Sequence, residues 1–268
     1  MRPLYEMSDV HFSYRRQSAL AGVTVAAHKG EVLALLGPNG SGKTTLLKIL
    51  LGFFRPQSGS VVFDGCSLAT VKPGELAMRV AYVPQVHREA FGYTVEDVVL
   101  MGRLPHKAFF APYSAEDRHI SRQAMAGLRI VHLAGKPYTE ISGGERQLTL
   151  IARAMAQGAE IFIMDEPVNG LDYGNQVRLL ESIKRLSEDG ITFILTTHNP
   201  DHAFLVADKV ALFKQGKVVA QGTPERIITE EALQELYGVS VRLQCTDDGK
   251  RFCVPCLGVE RAMAGESL

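Results

Sequence analysis

Apolar and polar positions change rhythm along the chain. Up to Leu36 the short β-rich runs LYEMSDVHFSY, ALAGVTVAAHKG and EVLALLG are separated by turn residues and predict sheet. TTLLKILLGFF reads as a helix. The breaker cluster Arg55-Pro56-Gln57-Ser58-Gly59-Ser60 then precedes two further β-like runs, VVFDG and RVAYVPQ. From about Val86 to Ala156 the period turns helical. Thr94-Val95-Glu96-Asp97 has the form of a capping box ahead of Val98, Val99 and Leu100. Ser114-Ala115-Glu116-Asp117 opens a longer helix, with Ile120, Ala124, Leu128 and Val131 at helical spacing. IFIMDEP, a helical stretch through QVRLLESIKRLSEDG, and ITFILTTH form the strand–helix–strand succession of a parallel sheet. VALFKQGKVVAQG predicts a hairpin turning near Gln215-Gly216. TPERIITEEALQELYGV and VRLQCTDDGKRFCVPC predict a small helical and β appendage. The fold class expected is α/β, with a helical insertion between strands.

Composition narrows what such a fold would do. At 268 residues and 46% hydrophobic content the chain has room for one large domain with a sizeable core. Lysines plus arginines and aspartates plus glutamates number 29 each, so no net field draws the chain to nucleic acid. No apolar run approaches the roughly 18–20 residues that span a bilayer, and MRPLYEMSDVHFSY lacks a signal-peptide core, which predicts a cytosolic protein. Cys66 stands apart from Cys245, Cys253 and Cys256, a distribution unlike a secreted disulfide framework. Reduced thiols are expected.

Three stretches carry chemistry. Gly37-Pro38-Asn39-Gly40-Ser41-Gly42-Lys43-Thr44-Thr45 follows the apolar run VLALL and opens a helix, the strand–loop–helix setting of G-x-x-x-x-G-K-[ST]. Glycines let several N–H groups converge on an anion, the helix N-terminus adds its dipole, Lys43 adds a cation and Thr44 a hydroxyl for Mg²⁺. A nucleoside triphosphate is the expected ligand. Ile161-Phe162-Ile163-Met164-Asp165-Glu166 ends an apolar run in two carboxylates, expected at the carboxyl end of a buried parallel strand beside that loop. Asp165 would act on Mg²⁺, directly or through water, and Glu166 would polarise the attacking water. Ile141-Ser142-Gly143-Gly144-Glu145-Arg146-Gln147 opens the helix LTLIARAMA and would form either a second anion cradle or a plain N-cap.

Taken in order, these stretches resemble the nucleotide-binding subunit of an ATP-binding-cassette transporter over nearly the whole chain. GPNGSGKTT looks like Walker A, Gln85 in YVPQ like the Q-loop glutamine, ISGGERQ like the signature and IFIMDE like Walker B. Asn169-Gly170-Leu171-Asp172 resembles the D-loop, His198 in ILTTHNP the switch histidine, and Tyr14 in FSYRR the aromatic that stacks on adenine. The sequence departs from the family's usual residues at Ile141, Glu145 and Val168.

The resemblance implies a P-loop α/β core (1–85 and 157–225) with an antiparallel β region, a helical subdomain (86–156) and a C-terminal appendage (226–268). It implies ATP and Mg²⁺ as cofactors, with Thr44, Gln85 and Asp165 around the metal and Glu166, His198 and Gln85 at the chemistry. ATP would be held by Tyr14 and Gly37 to Thr45 of one copy and by Ser142, Gly143, Gly144 and Glu145 of a second, with Asp172 also counted among the nucleotide-binding residues. The implied partners are a second ATPase subunit, expected to be an identical copy, two transmembrane permease subunits and, indirectly, an extracytoplasmic substrate-binding protein. The chain would lie peripherally on the cytoplasmic face of the membrane.

FGYTVEDVVLMGR and the tail VVAQGTPERIITEEALQELYGVSV resemble importer subunits serving iron–siderophore, haem, cobalamin and molybdate or tungstate uptake. A metal chelate is the expected cargo, with molybdate or tungstate as the alternative. A soluble cassette ATPase of assembly or repair type is the other class. It would call for tandem cassettes, a coiled-coil insertion or a basic groove, none of which the sequence has. Arg88, Phe91 and Tyr93 have the composition of an interface hot spot and are expected to grip a cytoplasmic helix of the membrane subunit. Cys253-Val254-Pro255-Cys256 with Cys245 offers three sulfurs where a closed zinc site takes four ligands, so non-ligating thiols are expected.

Overall fold

The computed structural model describes residues 2–85, 92–108 and 111–256. The first half of the chain runs β1 (Tyr5–Tyr14), β2 (Gln17–Ala27), β3 (Val32–Leu36), α1 (Lys43–Leu50), β4 (Ser58–Phe63), β5 (Cys66–Ser67), α2 (Pro73–Arg79) and β6 (Val80–Val83). Helices α3 (Val95–Leu100), α4 (Ala115–Gly127) and α5 (Gly143–Gln157) follow. The second half returns to alternation with β7 (Ile161–Met164), α6 (Tyr173–Glu188), β8 (Thr192–Thr197), α7 (Pro200–Val206), β9 (Lys209–Lys214) and β10 (Lys217–Gly222). It closes with α8 (Pro224–Ile227), α9 (Glu230–Tyr237), β11 (Val241–Cys245) and β12 (Arg251–Pro255).

The central sheet has the order β10-β9-β3-β8-β7-β6, parallel except for the β9–β10 hairpin. All five residues of β3 are buried, which explains why VLALL reads as an unbroken apolar run. Its alternate side chains belong to two cores. Val32, Ala34 and Leu36 pack with the helical side, including Val99, Leu150 and Ile151, whereas Leu33 and Leu35 pack with Leu46, Leu47 and the antiparallel strands. Those strands form a second sheet in the order β2-β1-β4-β5, tied to the β9–β10 hairpin by the Ala21 amide on the Gly216 carbonyl at 2.8 Å. The hairpin β11–β12 is the third sheet.

The capping boxes expected at Thr94 and Ser114 are formed, each hydroxyl accepting from the amide three residues on while the aspartate there accepts from the cap amide. Two helix ends differ from the sequence reading. α1 stops at Leu50 rather than running through GFF, because Gly52 takes φ 71 and the chain turns. α4 stops at Gly127, and Arg129 takes φ 59, so Val131 falls in a 3-10 turn and is exposed instead of continuing the apolar face. Among the described residues no helix is long and apolar enough to cross a membrane.

Candidate functional site

Parallel register brings distant segments to one edge of the central sheet. Leu36 pairs with Thr197, Met164 with Leu195, and Val83 with Met164. The residues just past the carboxyl ends of β3, β6, β7 and β8 are therefore neighbours, the place where open α/β sheets hold ligands. Gly37 follows β3, Gln85 lies two residues beyond β6, Asp165 and Glu166 follow β7, and His198 follows β8.

Beside this edge is a cavity of ≈ 500 Å³ lined by Tyr14, Gln17, Ser18, Ala19, the 39–45 loop, Gln85 and Glu166. The loop's glycines are required by space as much as by flexibility. A Cβ at Gly37 would lie 2.2 Å from the Phe213 carbonyl oxygen, and one at Gly42, where φ is 107, would lie 2.5 Å from that of Ala19. Gly42→Ala is therefore expected to lower stability by about 1–3 kcal/mol from backbone strain alone, and further through the clash. A thermal melt reads this directly; a midpoint equal to the parent's would show that the 19–20 segment yields.

Lys43 is 5% exposed, and its Nζ donates to the Gly37 and Pro38 carbonyls at 2.7 and 2.9 Å. Burial pulls its pKa below the ordinary lysine range, while the Glu166 and Asp165 carboxylates oppose that pull. Ser41 Oγ is buried with no hydrogen-bond partner among the described residues. An orphaned donor in a glycine cradle at the start of α1 fits an anionic ligand. Thr45 Oγ1 donates to the Tyr14 hydroxyl at 3.4 Å, and Tyr14 is exposed at the cavity rim.

Asp165 and Glu166 are both buried. Thr44 Oγ1 donates to Asp165 Oδ1 at 3.2 Å, and Thr196 Oγ1 donates to the same oxygen at 2.7 Å. Thr196 in turn accepts the Glu166 amide at 2.8 Å. Glu166 has φ 47, a left-handed backbone that side chains seldom adopt and that tertiary contacts must hold. Its Oε2 accepts from Gln85 Nε2 at 2.9 Å and lies 3.4 Å from His198 Nδ1. Thr196 was not singled out from sequence. Its only signal there is a hydroxyl near the end of the strand TFILTT, two residues before His198.

The motif at Ser142 lies elsewhere. Ser142 caps α5 and forms a capping box in which its amide donates to Glu145 Oε2 at 2.8 Å. Ser142, Gly143, Gly144 and Glu145 do not line the phosphate-loop cavity. Gln147 Nε2 donates to the Pro167 carbonyl at 3.1 Å, and a Cβ on Gly144 would lie 3.1 Å from the Gly170 carbonyl oxygen, so α5 begins against the 167–171 loop. Asp172 caps α6, accepting the Asn175 amide at 2.9 Å. Arg88 and Phe91 lie outside the described residues, and Tyr93 is exposed.

The chain is similar to known proteins over most of its length. The ABC transporter family pattern matches residues 20–169. An uncharacterised ABC transporter ATP-binding protein of Haemophilus influenzae is 40% identical over 90% of this chain and 91% of its own length. A petrobactin import ATP-binding protein of Bacillus anthracis is 33% identical over 89% of this chain and 88% of its own. A solved inward-facing structure of a putative metal-chelate type ABC transporter superposes with TM-score 0.83 at 32% identity, covering 96% of this chain and 98% of that one. A phosphate loop, two buried carboxylates and a histidine at adjacent strand ends, in a chain matched along most of its length, leave one family, and the chain belongs to the ABC transporters.

Proposed function

We propose that this chain is the ATP-hydrolysing subunit of a metal-chelate importer and acts through separate membrane subunits. The observation that carries the ATPase reading is the convergence of Lys43, Gln85, Asp165, Glu166 and His198 at adjoining strand ends beside the phosphate-loop cavity. The cargo reading rests on similarity to the petrobactin import protein and to the metal-chelate type transporter.

Each residue then has a role that its surroundings support. The 37–45 loop and Lys43 bind the phosphates, and Tyr14 at the rim offers its ring to the base. Thr44 and Asp165, with oxygens 3.2 Å apart, are donors of the hard kind that Mg²⁺ takes together with phosphate oxygens. Mg²⁺ bound there would supply positive charge to the β- and γ-phosphate oxygens. Glu166 orients the attacking water and accepts its proton; Gln85 and His198, both in reach of Glu166 Oε2, hold that carboxylate and the water in line.

Ser142 and Gly143 are exposed and do not line the cavity, which supports their completing the site of a second copy. On this reading 1–85 and 157–225 are the ATPase core, 86–156 the subdomain that presents Ser142 to the partner copy, and 226–268 the appendage. The segment after Gln85, with Arg88, Phe91 and Tyr93, meets the membrane subunits from the cytoplasmic face. An extracytoplasmic protein delivers the cargo.

The test is uptake by cells with and without this chain. Loss of labelled ferric siderophore, haem or cobalamin uptake is expected, with molybdate uptake retained. Unchanged uptake of all of these, with loss of a sugar or amino acid instead, would remove the cargo assignment and leave the ATPase in place.

A further inference from the structure

The turn that carries His198 is fastened partly from within and partly from the far end of the chain. Within it, the Asn199 amide donates to Thr197 Oγ1 at 3.0 Å and the Asp201 amide to Asn199 Oδ1 at 2.9 Å. Two further bonds come from the C-terminal part. The Tyr237 hydroxyl donates to the His198 carbonyl at 2.9 Å, and the Cys253 amide donates to Asp201 Oδ1 at 2.8 Å.

Tyr237 is itself firmly set. It is the last residue of α9, and its ring packs against the helical-side core. The Leu243 amide donates to Glu230 Oε1 at 2.8 Å and Ser240 Oγ to Gln234 Oε1 at 2.9 Å, joining β11 and its approach to α9. Arg251 Nη1 donates to the Glu225 carbonyl at 2.7 Å, joining β12 to α8. Burial, with Cys253 and the Glu166 carboxylate nearby, holds the phenol well above its ordinary pKa, so it stays a neutral donor across the working pH range.

We propose that Tyr237 is a positioning residue for ATP hydrolysis: its hydroxyl fixes the His198 backbone and thereby keeps the imidazole, 3.4 Å from Glu166 Oε2, in reach of the reacting groups. The proposal rests on the role given to His198 above. His198 is exposed, with Glu166 at its Nδ1 and His202 close enough to interact electrostatically, and neither encloses the ring, so backbone placement decides where it sits. Small displacements of a positioned group have large kinetic effects, on the order of 100-fold for 1 Å. Of the two bonds from the C-terminal appendage, the phenol is the one that falls on His198 itself.

The test is steady-state ATPase kinetics on the intact chain, comparing Tyr237→Phe, His198→Ala and the double variant. Tyr237→Phe keeps the packed ring and removes only the donor. It is expected to lower kcat roughly tenfold, as a shift of the imidazole by about half an ångström would on that scale, with KM for ATP within about twofold. The double variant is expected to be no slower than His198→Ala, because Tyr237 acts through that residue. A parental kcat for Tyr237→Phe, or losses that multiply in the double variant, overturns the proposal and leaves the role of His198 standing. A parental rate for His198→Ala overturns that role and the proposal with it.

Discussion

Glu166→Gln is expected to slow ATP hydrolysis by on the order of 10²–10⁴-fold, the usual contribution of a positioned general base, while ATP affinity stays within severalfold of the parent's. The amide matches the carboxylate in size, so the side chain keeps its buried place after β7 and its oxygen still accepts from Gln85 Nε2, now 2.9 Å away. The left-handed backbone at φ 47 is held by the Thr196 hydroxyl, which the substitution does not touch. What disappears is basicity. A negative charge also leaves the neighbourhood of Lys43 and of the bound phosphates, and that change favours ATP if it acts at all. Binding without turnover means that two copies closed on Mg-ATP cannot reopen by hydrolysis, so size-exclusion chromatography should show a dimer in this variant only. Hydrolysis at the parental rate would move the base to another residue and make Glu166 a structural carboxylate.

The sequence is most legible where a signal is local. The boxes read at Thr94 and Ser114 form, and Ser142, read as an anion cradle or a plain N-cap, forms one as well, because hydroxyl, amide and carboxylate lie within one turn of each other. The apolar runs VLALL and IFIM become fully buried parallel strands. Helices α2 and α7 are hard to read for the opposite reason. Each has seven residues beginning at a proline, too short for a periodic stripe, and each opens on a residue that usually signals a break. Val131 shows the limit of periodicity: its spacing fits α4, yet the chain has already turned at Arg129.

The site divides in the same way. Lys43, Asp165 and Glu166 are visible in short motifs, but that they are neighbours follows from sheet order, with β8 lying between β3 and β7. Thr196 and Tyr237 act through bonds spanning 30 and 39 positions, and no local pattern announces either. The position of Ser142 away from the cavity is also invisible in the sequence, where the motif sits between the two halves of the site it is expected to complete on another copy.

Lys43→Ala is expected to weaken ATP binding by two to three decades, about 3–4 kcal/mol, the scale of losing charge-assisted hydrogen bonds to phosphate. The loop already holds the ammonium in place before any phosphate arrives, through the Gly37 and Pro38 carbonyls at 2.7 and 2.9 Å. Little side-chain entropy is then lost on binding, which makes the cation more effective than a mobile surface lysine. Its removal has a second consequence. Asp165 and Glu166 remain buried beside the loop, and without Lys43 their charges face the incoming phosphates with no cation of the loop between them. Lys43→Arg separates charge from shape. The guanidinium keeps the charge but cannot enter a site built around a compact ammonium between two carbonyls, so it is expected to bind ATP nearly as poorly as the alanine variant. Equilibrium titration with a fluorescent ATP analogue measures both, and a thermal melt in the absence of nucleotide separates lost affinity from lost folding. If Lys43→Ala bound ATP at the parental Kd, the ammonium would be serving the loop's own carbonyls, and the phosphates would be held by backbone amides and the α1 terminus alone.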